Sequence, residues 1–508
     1  MTTKADYDVA VIGYGPVGMV TAALLGRSGR RVVVLERYAT LYNRPRAAIF
    51  DDETMRTFDR LGIAHTLEPK MHRQSRYEWR SGSGELLIEH SFAAIGRQGW
   101  AEWYMMYQPD LEDALDACVR SMPNVTVQMN AQVTGIDQSS DQVLLSLDGA
   151  TPVTASYVVA CDGGNSFTRE FLGIGQEDYG FSEPWMVCDF RLTSDVALPK
   201  ARQVCDPVQP ISVIALGHEH HRFSFMLDSE ESFATETDPT SVWQRVAAYL
   251  APDQAELIRA ATYTFRSLVT GRWRVDRVLL AGDAAHQMPP FLGQGMCSGI
   301  RDAQNIAFKL DAILSGADTA LLDSYQSERE PHVRAVIEKG IELGRIQTVR
   351  DPRLAAERDA RLLAQRAAKQ DPEKIRFPGL GPGLRTGTPQ AGYLMPQATV
   401  TAGERTGRFD EIVGTGFVLL VDGRRGDPSS LKPAEQTGLR VVTLGFDIHD
   451  TDGRYGAWFD EHDCTAVLWR PDFYIYGTAP TAADISPLVQ TLESALSPAE
   501  SLVPTGGM

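Results

Sequence analysis

Residues 9–12, Val-Ala-Val-Ile, run without a break into Gly13-Tyr14-Gly15-Pro16-Val17-Gly18. The apolar run reads as a fully buried parallel strand. Beyond the glycines, 17–28 reads as a helix with Val17, Val20 and Leu24 on one face, and 31–35 as a second strand ending at Glu36. This is a βαβ unit of about thirty residues, the context in which GxGxxG becomes a specific signal. Gly13 permits a tight strand-to-helix turn, Gly15 lets backbone N–H groups approach a pyrophosphate, and Gly18 lets helix and strand pack closely. The helix N-terminus offers free donors and the positive end of its dipole to phosphates. Glu36, eighteen residues after Gly18, is placed to accept from ribose hydroxyls.

Two further signatures follow in order. Cys161-Asp162-Gly163-Gly164 comes after an apolar segment, and Gly282-Asp283-Ala284-Ala285-His286 follows Val278-Leu279-Leu280-Ala281. A DG turn alone is commonly structural. Asp283, at the end of a buried strand, is placed to bond a ribityl hydroxyl, and a helix N-cap is the alternative role. Pro289-Pro290-Phe291-Leu292-Gly293-Gln294-Gly295-Met296 comes next, with two glycines beside an expected helix start. Backbone donors there favour negative charge on a reduced flavin ring. Three such stretches read as a grip on one extended FAD.

The chain has 508 residues, enough for two or three domains, with 43% hydrophobic and 23% charged residues. Its net charge of −17 disfavours nucleic acid or an anionic membrane as a partner. No apolar run approaches the roughly 20 residues of a membrane span, and the polar start, 1–8, does not resemble a secretion signal. The six cysteines are scattered, without a CxxC pair, so no metal site and no dithiol motif is expected. Reduced thiols in a cytoplasm are the expected state.

Further along, 107–119 reads as a helix, 125–147 as alternating strands and 153–160 as the strand leading to Asp162. Strand-like segments at 185–192, 211–215 and 222–227 suggest an inserted sheet. Residues 278–280 resume the first domain, 299–314 and 321–340 read as long helices, and 351–374 as a solvated helix. The Pro- and Gly-rich 377–400 reads as a linker. Strands at 416–421, 439–444 and 465–469 suggest a third, small α/β domain.

With these residues placed, the chain resembles the FAD-dependent aromatic hydroxylases, the single-component flavoprotein monooxygenases with the para-hydroxybenzoate hydroxylase fold. The likeness covers residues 1 to about 345 and is closest to the 3-(3-hydroxyphenyl)propionate hydroxylase branch. That branch is marked by Arg44-Pro45-Arg46-Ala47-Ala48 before Phe50-Asp51-Asp52-Glu53, by Cys205-Asp206-Pro207-Val208-Gln209-Pro210, and by Arg222-Phe223-Ser224-Phe225-Met226. The tail, with Gly416-Phe417-Val418-Leu419-Leu420 and Val467-Leu468-Trp469-Arg470-Pro471-Asp472, resembles the thioredoxin-like C-terminal domain of several such enzymes. The implied fold is α/β. It has a discontinuous Rossmann-type FAD-binding domain (1–180 and 267–376), an inserted β-sheet substrate domain (181–266), a linker (377–400) and a thioredoxin-like domain (401–508).

The resemblance also assigns roles. Gly13, Gly15, Gly18 and Glu36 hold the ADP half of FAD, with Pro16, Val17 and Arg37 beside them. Arg46 lies near pyrophosphate and ring, and Gln108 contacts the cofactor. Asp162 serves FAD and NAD(P)H. Gly282 and Asp283 meet the ribityl chain, Gly293, Gly295 and Met296 face the isoalloxazine, and Pro290 sits over its oxygen-reactive side. Pro290 and Arg46 are the candidate residues nearest the chemistry. Many relatives carry Asn where Cys297 stands. Trp185, Ile211, Val213, Phe223 and Phe225 are the expected substrate wall, with Cys188 among the alternating faces. His218, His220 and His221 read as a surface turn and His286 as structural.

The activity implied is hydroxylation of a phenolic acid such as a hydroxyphenylpropionate, with NADH or NADPH and O2, through a flavin C4a-hydroperoxide. The nicotinamide visits transiently, since no second GxGxxG follows a strand. Water must be kept out, and a proton relay would favour the phenolate. Three alternatives stand beside it: a hydroxylase of a larger polyketide-like aromatic or a drug, a non-oxygenating flavin reductase or dehydrogenase, and a flavin-binding interaction module without turnover. Relatives are often homodimers. A bulky side chain at Gly15 should abolish FAD retention. Gly15→Leu should purify folded and colourless, and an ordinary flavin absorbance per chain would contradict the glycine cradle.

Overall fold

Five parallel strands form the spine of the first sheet, in the order Val278–Leu280, Ala150–Ala160, Tyr7–Ile12, Val32–Glu36 and Val125–Met129. The computed structural model describes residues 5–498 apart from 371, 373, 376 and 430, and the side chains of 232 and 436 also lie outside it. The expected polar start and the ends of the solvated helix and the last domain therefore fall partly outside the described residues. Chain contacts define two compact units. One comprises Met1–Gly26, Arg31–Arg301 and Val333–Phe377, and the other Arg27–Arg30, Asp302–His332 and Pro378–Met508.

In the first unit, strand Tyr7–Ile12 has its sequence neighbour Val32–Glu36 on one side and the distant Ala150–Ala160 on the other. The strand order thus reverses at Tyr7–Ile12, and the crevice beyond the carboxyl ends of such strands is where ligands bind. Helix Pro16–Arg27 follows at once and is buried from Gly18 to Gly26. Strands Val133–Gln138 and Val143–Leu147 extend the sheet antiparallel beside Ala150–Ala160.

The second eight-stranded sheet runs His286–Gln287, Ala255–Thr270, Gln176–Leu192, His220–Met226, Ile211–Leu216, Ala201–Cys205, Arg76–Ser81 and Leu86–Ser91. It is wider than the expected insertion. Its last two strands come from the amino-terminal segment, Arg76–Ser81 pairing parallel with Ala201–Cys205. One face packs on helix Pro239–Val246 through Met186, Phe190, Phe223, Val242 and Val246.

In the second unit, strands Arg440–Leu444, Val418–Asp422, Ala466–Trp469 and Ile475–Ala479 lie in that order. The first pair is parallel and the next two are antiparallel. A core of Phe409, Tyr455, Phe459 and Trp469 fills one side. The stretch expected as a linker is pinned. Gly392 and Met395 donate backbone N–H groups to Ile475 and Phe473 at 2.8 and 2.9 Å, and Leu380 and Met395 are buried. Its end also enters a strand, Thr399–Ala402.

This unit holds a buried charge cluster. Glu328 accepts from Lys309 at 2.8 Å and from both terminal nitrogens of Arg470, which also pairs with Asp472. Asn305 donates to Glu328 and Asp472. Arg470 and Lys309 hold Glu328 below the usual carboxylate range against its burial. Removing one partner from such a group leaves uncompensated charge, at about 3–5 kcal/mol. Arg470→Met should lower the denaturant midpoint by a corresponding amount, and an unchanged midpoint would show that the carboxylates do not depend on it.

Candidate active site

The three signatures meet at the carboxyl ends of adjacent parallel strands. Gly13 N–H donates to Leu35 O at 2.9 Å, Cys161 N–H to Ile12 O at 2.8 Å, and Ala281 N–H to Ala160 O at 2.9 Å. A cavity of about 690 Å3 opens there, lying wholly within the first unit. Gly13 has φ +98°, and a Cβ on it would stand 2.5 Å from Cys161 O. A Cβ on Gly18 would collide with Gly13 O. At Gly15 a Cβ would meet no protein atom within 4 Å, and Gly15 lines the cavity. Gly13 and Gly18 are thus glycines for packing, and Gly15 for the room beside it.

Pro16, Val17, Glu36 and Arg37 also line the cavity. Glu36 Oε2 accepts from Tyr14 N–H at 2.7 Å and Oε1 from Tyr38 N–H at 3.0 Å. Each oxygen keeps a further lone pair for a ribose hydroxyl. Asp162 lines the cavity as well, but its carboxylate braces its own turn, accepting from Ser166 Oγ at 2.5 Å and Thr168 N–H at 2.9 Å.

Asp283 sits in a single helical turn, Gly282–Ala284, which Ala281 precedes as N-cap, so capping is not its role. It opens onto the cavity while protein surrounds it. Burial raises its carboxyl pKa, and His286 and Arg46 oppose that rise. Gly282 is set back against Val17, with no lining role. Pro290, Gly293, Gly295 and Met296 line the cavity where helix Gly295–Leu314 begins. Gly293 has φ +62°, and a Cβ there would stand 2.9 Å from Ile49. Cys297 is fully buried with its thiol on Gly293 O, so it makes no counterpart to the amide of relatives. His286 is buried beside Trp273, rings 5.1 Å apart.

The loop at Pro45 to Ala47 is held from two sides. Gln108 Oε1 accepts from the N–H groups of Arg46 and Ala47, at 3.1 and 2.6 Å, while its Nε2 donates to Glu112 at 2.6 Å. Gln108 therefore shapes the loop, although it also borders the cavity. From the other side Arg222 donates to Pro45 O and Arg46 O, and Arg259 to Pro45 O. Both arginines face Asp189, which is fully buried. Arg46 lines the cavity with its guanidinium 4.6 Å over the Tyr42 ring.

The second sheet forms the remaining wall, with a correction. Of the expected substrate residues only Trp185 lines the cavity. Val213, Phe223 and Phe225 belong to the core on the opposite face, with Ile211 packed against it and Cys188 inside it. The cavity face carries the intervening positions: Val187, Ile214, Arg222, Ser224, and, from neighbouring strands, Gln203 and Tyr77. Both faces of this sheet are buried, so the more apolar one went to the core. The signal for the site was polar residues at alternate positions inside apolar strands. The histidines also differ from expectation. Only His218 is in the turn. His220 and His221 lie on a strand, His220 stacked on Tyr107 at 3.8 Å and His221 buried, with its ring nitrogen 2.9 Å from Pro199 O.

Comparison with known proteins agrees with this geometry. The FAD binding domain family matches residues 6–340, and the HcaD C-terminal domain family matches 392–495. The chain is 50% identical to a probable NADH-specific resorcinol 4-hydroxylase of Rhodococcus jostii (strain RHA1), over 98% of this chain and 96% of that one. It is 32% identical to a 3-(3-hydroxy-phenyl)propionate/3-hydroxycinnamic acid hydroxylase of Mycobacterium sp. (strain KMS), over 94% and 90%. Among solved structures, aklavinone-11 hydroxylase with FAD and aklavinone superposes with a TM-score of 0.81 at 24% identity, over 97% and 99% of the two chains.

The chain belongs to the FAD-binding aromatic hydroxylases, flavoprotein monooxygenases of the para-hydroxybenzoate hydroxylase type of fold. It is an enzyme with FAD as cofactor and NAD(P)H and O2 as co-substrates. The residues present fit FAD: an open strip beside Gly15, an acceptor at Glu36, and a carboxylate at Asp283 that no capping role engages. A carboxylate–hydroxyl hydrogen bond contributes about 1.5–3 kcal/mol. Asp283→Ala should weaken FAD binding about tenfold or more by fluorescence titration of the apoprotein, and unchanged affinity would remove Asp283 from the cofactor site.

Proposed function

We propose that this enzyme hydroxylates a single-ring phenol, using NADH as reductant. The observation that carries the reading is an aromatic-walled recess continuous with the cofactor cleft. Trp185, Phe265 and Phe291 line one cavity with Gly15 and Asp283, the Trp185 ring lying 6.0 Å from Phe265 and 6.1 Å from Phe291. The resorcinol and hydroxyphenylpropionate hydroxylases among the relatives support a phenolic substrate, and the 50%-identical relative supports NADH. The aklavinone-bound neighbour shares the fold at 24% identity, which carries no substrate argument.

Bound FAD supplies the redox chemistry, taking two electrons from the nicotinamide and activating O2. The protein's residues do the rest. Trp185, Phe265 and Phe291 give the cavity apolar walls that would keep water from a planar ring. The first turn of helix Gly295–Leu314 opens at the cavity, and its donors and dipole favour negative charge on a reduced ring held there. Asp283 and Glu36 would accept from ribityl and ribose hydroxyls, and Arg46 and Arg37 would meet the phosphates.

The same proposal includes a thioredoxin-like tail, supported by the parallel pair followed by two antiparallel strands, and a cytoplasmic setting, supported by six free thiols. No helix among the described residues is long and apolar enough to cross a membrane. Under 18O2, turnover of resorcinol or 3-(3-hydroxyphenyl)propionate should yield a product carrying one labelled oxygen for each NADH consumed. NADH oxidation that gives only hydrogen peroxide with every phenol would overturn the reading.

A further inference from the structure

Within the substrate wall one row of neutral side chains forms a directed hydrogen-bond chain. Gln347, the last residue of helix Ser324–Gln347, donates from Nε2 to Ile211 O at 3.0 Å and to Ser212 Oγ at 3.2 Å. A carbonyl can only accept, so this fixes the orientation of the Gln347 amide. Ser212, whose oxygen already accepts, gives its proton to Gln203 Oε1, and Gln203 Nε2 donates to Tyr77 Oη. Each link points the same way. The chain therefore ends in the Tyr77 O–H as a donor, whose bond to Phe291 O is long, at 3.4 Å. Tyr77, Gln203 and Ser212 all line the cavity and are each at least nine-tenths buried. The Oε1 of Gln347, fully buried at the far end, has no hydrogen-bond partner among the described residues.

We propose that Gln347–Ser212–Gln203–Tyr77 is the substrate anchor, in which Tyr77 donates to the oxygen of a substrate hydroxyl, and that this neutral anchor selects an uncharged dihydroxybenzene over a phenol carrying a carboxylate. The inference rests on the phenol hydroxylase reading above and names the substrate class within it. Burial raises the Tyr77 phenol well above its ordinary value, so it stays protonated and acts as a donor. Ser224 stands next to Ser212 in the same cross-strand row and adds a second hydroxyl to the wall. Of the five arginines that border the cavity, two are tied to the loop that carries Arg46. Arg222 and Arg259 share the single carboxylate of Asp189, at 2.7 and 3.9 Å, and spend donors on Pro45 O and Arg46 O. Arg46 lies against Tyr42 and Arg37 against Tyr38, and the Arg266 side chain is exposed. A carboxylate at the Tyr77 wall would give up its hydration for neutral partners, a costly exchange in a buried site. A phenol oxygen would gain a donor, and a hydrogen bond to that oxygen stabilises the phenolate form that reacts with an electrophilic oxygen. Tyr77 touches the substrate in this arrangement, and Gln203, Ser212 and Gln347 are positioning residues.

The test uses the FAD-loaded enzyme, with resorcinol and 3-(3-hydroxyphenyl)propionate as probes. Wild type should show kcat/KM for resorcinol at least tenfold above that for the acid. Tyr77→Phe should raise KM for resorcinol about tenfold and divert a larger share of NADH consumption to hydrogen peroxide, with flavin content per chain unchanged. Ser212→Ala should move both readouts in the same direction by a smaller factor, and Ser212→Thr, which keeps the hydroxyl, should restore them. This pair carries the test if Tyr77→Phe does not fold. A purely structural role would change thermal stability without changing coupling. Unchanged KM and coupling in flavin-loaded Tyr77→Phe, or in Ser212→Ala where only that pair folds, would overturn the anchor, as would preference for the acid, and both leave the hydroxylase reading standing. Absence of a hydroxylated product from either phenol would overturn both.

Discussion

Asp189 is fully buried between two arginines, and the shape of the cavity depends on it. A guanidinium inside a protein needs a counter-charge and acceptors for its remaining donors. Asp189 supplies the charge to Arg222 and Arg259, and the carbonyls of Pro45 and Arg46 supply the acceptors. The substrate sheet is thereby fastened to the loop that carries Arg46. Gln108 holds the same loop through its N–H groups. With donors taken on one side and acceptors on the other, the loop has little freedom to leave its place beside the cofactor cleft, which is what orders a recess of both sheets into one site.

The cofactor side rests on close approach of backbones. Strands ending at Ile12, Glu36, Ala160 and Leu280 are stitched by successive hydrogen bonds at their ends. Gly13 and Gly18 leave no space for a side chain between the first turn and Cys161. Convergence of three distant sequence signatures is then a consequence of parallel pairing, since every carboxyl end points to the same edge. Asp162 and Asp283 arrive there with different duties. One is consumed by its own turn, and the other keeps its carboxylate for the cavity.

That half of the molecule was legible because its signals are local. A glycine turn between an apolar run and a helix, or an aspartate at the end of Val278–Leu280, can be read without knowing what lies across the sheet. The substrate half was not. Period two separates the faces of a strand and does not say which is the site when both are buried. Assigning the apolar set, Ile211, Val213, Phe223 and Phe225, to the pocket reversed the faces. Gln203, Ser212 and Ser224, costly to bury unless they bond, carried the information instead. Nor does any local pattern announce that Arg76–Ser81 pairs with Ala201–Cys205, because the partners are joined only by tertiary folding. The stretch from Phe377 looked like a linker from its prolines and glycines, yet its backbone N–H groups find acceptors on the tail.

The charge of the chain poses a last problem. A protein at −17 must hold one anionic dinucleotide and admit another. Charges beyond about 8 Å are largely screened at physiological ionic strength, so the groups at the cleft decide the matter. Arg37, Arg46, Arg222, Arg259 and Arg266 all border the cavity. Asp189 offsets one of the two charges of the inner pair, Arg222 and Arg259, whereas Arg37 and Arg46 lie against tyrosine rings at the exposed side. Positive potential is thus kept on the side where phosphates would lie and partly offset beside the wall where an aromatic ring would rest. The same arginine–aspartate row that fixes the cavity's shape also lowers the positive charge of its inner part.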